Sequence, residues 1–278
     1  MKKSLLLIAF LLVCLFGFGQ NGRPYFIRYR TANDTVYLNT QSVNGIHIDA
    51  LGHELTHEDG TVWSALTDLD TVYIYREAEE YEWVDLGLPS GLLWATCNVG
   101  ADSPEDYGDY FAWGEIQPKS YYDWSTYLYG NVWHELTKYC TDPDFGLNGF
   151  VDGLTILQPI DDAASANLGN NVRTPTVDEW EELKENCISV WTTFNGVDGL
   201  LFTSPNGRSL FFPAAGYCWE GDIINDGSFG GCWLSSLNTN SPCNACHFGY
   251  YSGGNYLTCG AYRVYGLSVR AVRSVPKN

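Results

Sequence analysis

Little of this sequence reads as helix. The clearest start is Thr176-Val177-Asp178-Glu179, a capping box in which the Thr hydroxyl and the Glu carboxylate satisfy free backbone amides at a helix N-terminus. Trp180, Leu183 and Cys187 follow at helical spacing and give one apolar face. A second, shorter helix is expected around Asp161 to Asn167. The rest falls into short apolar runs set between Gly- and Asn-rich turns, with strands expected at Leu210–Phe212, Cys232–Leu237, Ala245–Tyr251 and Tyr262–Val272. Two helices followed by a run of antiparallel strands make an α+β domain rather than a parallel sheet.

The first eighty residues divide differently. Lys2 and Lys3, the apolar run Leu5 to Phe16, and small Gly17 and Gly19 before Gln20 have the order of a secretory signal. Export is therefore expected, with residues 1–19 as the signal. Cys14 raises the alternative of a lipidated cysteine, but Val13 is bulky for that role and the apolar run continues past it. The run is short for a bilayer span, and no later segment reaches the length one needs, so no transmembrane span is expected. Strands are expected at Tyr25–Tyr29, Thr35–Leu38, Gly45–Ile48, Thr61–Ala65 and Thr71–Tyr75, the last with clear alternation. The acidic stretch Glu77 to Glu82 reads as a linker. The expected organisation is a small β-rich segment at 20–80 and a larger domain at 81–276.

Charge narrows the partners. The formal net charge is −18, and loss of Lys2 and Lys3 makes it −20. Phosphate backbones repel such a surface, so nucleic acid is not an expected partner. Of 9 Cys, one lies in the signal, leaving an even 8. In an exported chain this suggests disulfides. If the Ser252-Gly253-Gly254-Asn255 run is a hairpin turn, Cys246 and Cys259 face each other across it. Cys218 and Cys232 flank the Asp222 to Gly231 excursion and would close it.

From residue 84 the chain reads Val84-Asp85-Leu86-Gly87-Leu88-Pro89-Ser90-Gly91-Leu92-Leu93-Trp94-Ala95-Thr96-Cys97-Asn98-Val99-Gly100-Ala101. Tyr110-Phe111-Ala112-Trp113-Gly114-Glu115, Lys138-Tyr139-Cys140, Asp161-Asp162-Ala163-Ala164, Phe212-Pro213-Ala214-Ala215-Gly216 and Trp233-Leu234-Ser235-Ser236 follow, then Arg263 to Arg270. In this order the blocks resemble the Fibrobacter succinogenes major paralogous domain over roughly residues 81 to 273. Val172 and Thr174 depart from it, standing where the family usually has Trp and Met. The resemblance implies a secreted or surface protein of the kind common in Bacteroidetes. It also implies a fold similar to C-type lectins and formylglycine-generating enzymes. Cys97 and Cys187 both fall in family-like blocks, which suggests a bond between the first strand and the helix.

Several motifs invite chemistry. His53-Glu54-Leu55-Thr56-His57 has the spacing of a zinc-protease helix, in which two His four apart face one metal and the Glu polarises its water. Gly52 and Asp59-Gly60 leave no room for such a helix, and Trp63 stands where a third His is wanted. Cys243-Asn244-Ala245-Cys246 is a lone CxxC opening a strand, where neither a redox thiol nor a zinc site finds its context. The implied kinship with formylglycine-generating enzymes raises a metal- or cysteine-dependent enzyme as the alternative, through Cys243, Cys246 and Cys259. Asp144, Asn148 and Asp152, and Asp222, Asn225 and Asp226, supply oxygens but lack the closing Glu of a calcium loop. No catalytic residue, metal or cofactor is assigned.

One loop stands apart. Tyr121, Tyr122, Trp124, Tyr127, Tyr129 and Trp133 crowd between family-like blocks. Aromatic faces pack on the C–H faces of sugars and anchor protein interfaces; the competing role for these residues is to fill the core of a loop-rich fold. The expectation is a non-enzymatic exported or cell-surface binding protein with a glycan or protein ligand at Tyr121, Tyr122, Trp124, Tyr127 and Trp133. A structural subunit of a surface assembly is the third reading.

Overall fold

The computed structural model describes residues 82–169 and 171–274 in full and, before them, the backbone of six strands between residues 25 and 76. The chain forms two compact units, Met1–Ala78 and Glu79–Asn278. In the first, β1 (Tyr25–Arg30), β2 (Thr35–Asn39) and β6 (Thr71–Arg76) make one antiparallel sheet in the order β2-β1-β6. A second sheet takes β3 (Val43–Ile48), β4 (His53–His57) and β5 (Gly60–Ser64) in sequence order.

The second unit is α+β and rich in sheet. Strands β7 (Trp83–Asp85), β8 (Leu92–Asn98), β9 (Val172–Arg173) and β18 (Arg270–Ser274) form a four-stranded antiparallel sheet ordered β7-β8-β18-β9. Helix α1 (Ala163–Leu168) is capped by Asp162, which accepts from the Ala164 amide at 2.9 Å. Asp162 is buried and also takes the Thr174 amide and hydroxyl at 2.8 and 2.6 Å. Burial pushes its carboxyl above the usual range, against the pull of those hydrogen bonds. Helix α2 (Val177–Asn186) starts at the Thr176 capping box with Glu179 and buries Trp180 and Leu183.

Three further antiparallel sheets complete the unit. β10 (Ile188–Phe194), β11 (Val197–Thr203) and β12 (Ser209–Pro213) form one. β13 (Tyr217–Trp219) and β14 (Asp222–Ile224) form a hairpin. β15 (Phe229–Leu237), β16 (Asn244–Tyr251) and β17 (Gly254–Tyr262) form the third. The main core lies where the inner faces of these sheets meet α2: Trp180 stacks on Phe248 with centroids 4.4 Å apart and packs against Trp94 and Phe212 at 5.0 and 5.2 Å.

The structure corrects the expected strand Tyr262–Val272. It divides into the end of β17, a turn closed by the Tyr265 amide on the Tyr262 carbonyl, and β18. Between them Gly266, Leu267 and Ser268 form isolated bridges with Cys218, Phe111 and Cys232.

The cysteines are corrected in part. Cys246 and Cys259 form a disulfide. The β16–β17 register sets two residues of β17 against Cys246, between the pairs Ala245–Ala261 and His247–Thr258, so this bulge brings the cysteines together. Cys97, Cys187, Cys218 and Cys232 are free thiols, so the pairings 97–187 and 218–232 are not formed. Cys218 pairs with Gly266 and Cys232 with Ser268, and the two pack in different core clusters. Cys187 lies against the main core, of which Cys97 is not a part.

Candidate functional site

Three segments distant in sequence bring aromatic rings together on one surface of the second unit. The first is the loop at 121–127, where Asp123 caps a short 3-10 turn (Trp124–Thr126) by accepting the Thr126 amide at 3.1 Å. The second is the β13–β14 hairpin, whose two-residue turn Glu220-Gly221 has φ of 49° and 89°. The third is the Tyr262–Tyr265 turn. Ring centroids run Trp124 to Tyr262 at 6.2 Å, Tyr262 to Tyr265 at 5.8 Å, and Tyr265 to Trp219 at 4.9 Å and to Tyr217 at 5.4 Å. Tyr121 and Tyr262 are exposed, while Trp124, Tyr217, Trp219 and Tyr265 are half-buried. The Glu220 amide donates to the Tyr122 carbonyl at 3.1 Å and ties the hairpin to the loop.

A buried polar frame holds this surface. Arg263 lies beneath it, fully buried. Its Nε donates to the Tyr127 hydroxyl at 2.6 Å, its Nη1 to the Tyr139 and Pro242 carbonyls at 3.0 Å, and its Nη2 to the Lys138 carbonyl at 3.0 Å. The guanidinium also faces the Trp113 and Tyr127 rings at 5.1 and 5.2 Å. Tyr127 donates in turn to the Trp113 carbonyl at 2.7 Å, and Tyr122 to the Tyr110 carbonyl at 2.6 Å. Burial raises the pKa of both phenols well above the free value. Asp161 gathers Tyr129, Tyr139 and Lys138 within 2.7 Å. Tyr139 holds a left-handed backbone, φ 54°, with its amide on Asp152 at 2.8 Å.

The loops carrying the rings also carry Asp123, Glu220 and Asp222. Among the described residues, the two cations that contact the rings of this loop and its frame at Tyr122 and Tyr127 are both engaged. Lys119 pairs with Glu115 at 2.8 Å and Arg263 is buried. The surface is thus aromatic with an acidic rim.

The expected site residues part company. Tyr121 and Trp124 join the surface, whereas Tyr122 and Tyr127 are core, 2% and 4% exposed, and out of a ligand's reach. The reason is local: their hydroxyls are tied to backbone carbonyls inside the fold. Trp133 is exposed in a different group, beside His134 and Phe145 at 4.7 and 5.6 Å. Local reading missed Tyr217, Trp219, Tyr262 and Tyr265. The one available signal was aromatic density in the segments 217–219 and 262–265.

The motifs of the alternative reading have a different setting. His53–His57 is strand β4, along which four residues span about 13 Å, so the helical two-His geometry is not present. Asp152 is taken up by the amides of Tyr139, Cys140 and Leu154 at 2.8 to 3.1 Å. Of the three cysteines of that reading, Cys246 and Cys259 are joined in the disulfide and Cys243 is a buried free thiol.

Comparison with protein-family models, with curated proteins and with solved structures returned no match to this chain.

Proposed function

We propose that this chain is an exported binding module that takes an uncharged glycan on the surface formed by Trp124, Trp219, Tyr262 and Tyr265, flanked by Tyr121 and Tyr217. One observation carries the reading: rings from three separate segments form one connected, partly exposed surface on a rigid buried frame. Stacking on sugar C–H faces uses apolar area at low entropic cost, because aromatic side chains fixed from beneath lose little freedom on binding. The acidic rim and a net charge of −18 disfavour sulfated or uronic-acid chains. The reading includes the lectin-like form of the α+β unit and the likeness to the Fibrobacter succinogenes major paralogous domain. The Cys246–Cys259 disulfide and the strand at His53–His57 favour binding over catalysis. Exposed Trp133, beside Phe145, favours a protein partner as the second reading.

A glycan array probed with the intact chain, with and without a calcium chelator, tests the proposal. Binding to neutral glycans that survives chelation and is lost in Trp219→Ala and in the more exposed Tyr262→Ala supports it. Binding that needs calcium, or that both variants retain, sinks it. No binding at all transfers the case to the protein partner.

A further inference from the structure

Strand β10 is an edge. It pairs with β11 alone, and among the described residues no other strand lies on its far side. Natural edges are guarded by charge, proline or a bulge, because free N–H and C=O groups invite pairing. β10 has none of these. Ile188-Ser189-Val190-Trp191-Thr192-Thr193-Phe194 carries no charge, no Pro and no Gly, and its register with β11 runs unbroken. Ile188 is 73% exposed, Val190 55% and Phe194 39%.

The turn fixes which backbone groups are free. Asn195-Gly196 is a two-residue loop with φ of 48° and 87°, and Phe194 faces Val197 across it. In such a hairpin the residues flanking the turn are a hydrogen-bonded pair, and alternate pairs follow. Phe194, Thr192, Val190 and Ile188 therefore bond to β11. Ser189, Trp191 and Thr193 direct their N–H and C=O groups to the open side. The pattern agrees with the other side of β11, where Asp198 accepts from Ala214 at 2.8 Å and Pro213, which has no N–H, stands opposite Gly199.

We infer that this chain forms a two-fold dimer by antiparallel pairing of β10 with β10 of a second copy, in a register centred on Trp191. Hydrogen bonds and side chains agree on that register. Trp191 meets Trp191 of the other copy, and Ser189 meets Thr193, so every group on the open side finds a partner. On the outer face Ile188 meets Phe194 and Val190 meets Thr192, joining two apolar stripes into one. The strand is thus complementary to itself, as an isologous contact requires. The net charge of −18 opposes association of copies, and the seven uncharged residues of β10 let two copies meet there without like charges opposed. Asp198, beside the edge, is already bonded to the Thr193 hydroxyl.

Sedimentation of the intact chain over a concentration series tests the inference. The expected result is a reversible doubling of mass, abolished by Val190→Lys and by Ile188→Lys, both at exposed positions that leave circular dichroism unchanged. Val190 and Thr192 of two copies would form a non-hydrogen-bonded pair with Cα atoms about 4.5 Å apart, so V190C/T192C is expected to oxidise to a covalent dimer. A monomer at every concentration, a dimer that both lysine variants leave intact, or failure of the double cysteine variant to cross-link overturns it.

Discussion

The guanidinium of Arg263 donates its Nε–H to the hydroxyl of Tyr127 at 2.6 Å, with both side chains buried. The same fork satisfies the carbonyls of Lys138, Tyr139 and Pro242, so loops with little regular structure depend on one planar cation. Arg263→Lys keeps the charge but not the fork. Each carbonyl left without a donor costs about 1–3 kcal/mol. The expected outcome is a fall in stability of several kcal/mol, read as the urea midpoint, together with weaker ligand binding. An unchanged midpoint would show that the loops are held by other contacts.

The Cys246–Cys259 disulfide closes a segment with a sequence separation of 13. A loop of that size contributes about 3 kcal/mol in the chain-entropy account. The double variant Cys246→Ser/Cys259→Ser is expected to lose that order of stability while retaining the fold. Non-reducing peptide mapping should recover 246 joined to 259. It should also find Cys97, Cys218 and Cys232 alkylated only after denaturation, because all three are buried.

His247 lies buried between Trp233 and Tyr256, its Nδ1 without a hydrogen-bond partner. Burial lowers its pKa from the ordinary 6.5 to about 4. The folded state therefore favours the neutral ring, while the unfolded chain binds a proton first as pH falls. Stability from this residue is full above pH 6.5 and is lost progressively down to about pH 4, by about 3 kcal/mol. His247→Phe should flatten the slope of unfolding free energy against pH in that window. A variant with the parental slope would assign the dependence to other groups.

Gly230 faces Tyr250 across the β15–β16 pair, and a Cβ at Gly230 would fall within the Tyr250 ring. That ring cannot swing aside freely, since its hydroxyl donates to the Pro213 carbonyl at 2.8 Å. Gly230→Ala is expected to cost about 1–3 kcal/mol through overpacking, measured by thermal unfolding. Gly227→Ala, where no atom lies near although φ is 74°, gives the cost of backbone strain without a clash.

What the sequence reveals here is what local chemistry determines. The Thr176 capping box and the pairing of Cys246 with Cys259 depend on residues a few positions apart or on one hairpin, and both are legible. β10 and β11 escape the sequence-based expectation even though Asn195-Gly196 is a strong hairpin signal; the helical pattern ending at Cys187 gives way to strand within one residue. Tyr262–Val272 reads as one strand because its apolar content is continuous, and only distant Phe111, Cys218 and Cys232 reveal the break. The aromatic surface is the least legible part. Trp124 meets Tyr262, and Tyr265 meets Trp219, through pairings no local pattern announces, and buried Tyr127 looks in sequence like exposed Tyr121.

The last strand of the second unit has a consequence for how the protein comes into being. β18 lies inside its sheet, flanked by β8 and β9, rather than at the margin. A polypeptide made from its N-terminus thus receives this inner strand only after β7, β8 and β9. Until residues 270–274 emerge, β8 has β7 alone beside it and β9 has no strand to pair with, so this sheet stays in two pieces. Arrival of β18 and closure of this sheet become one event.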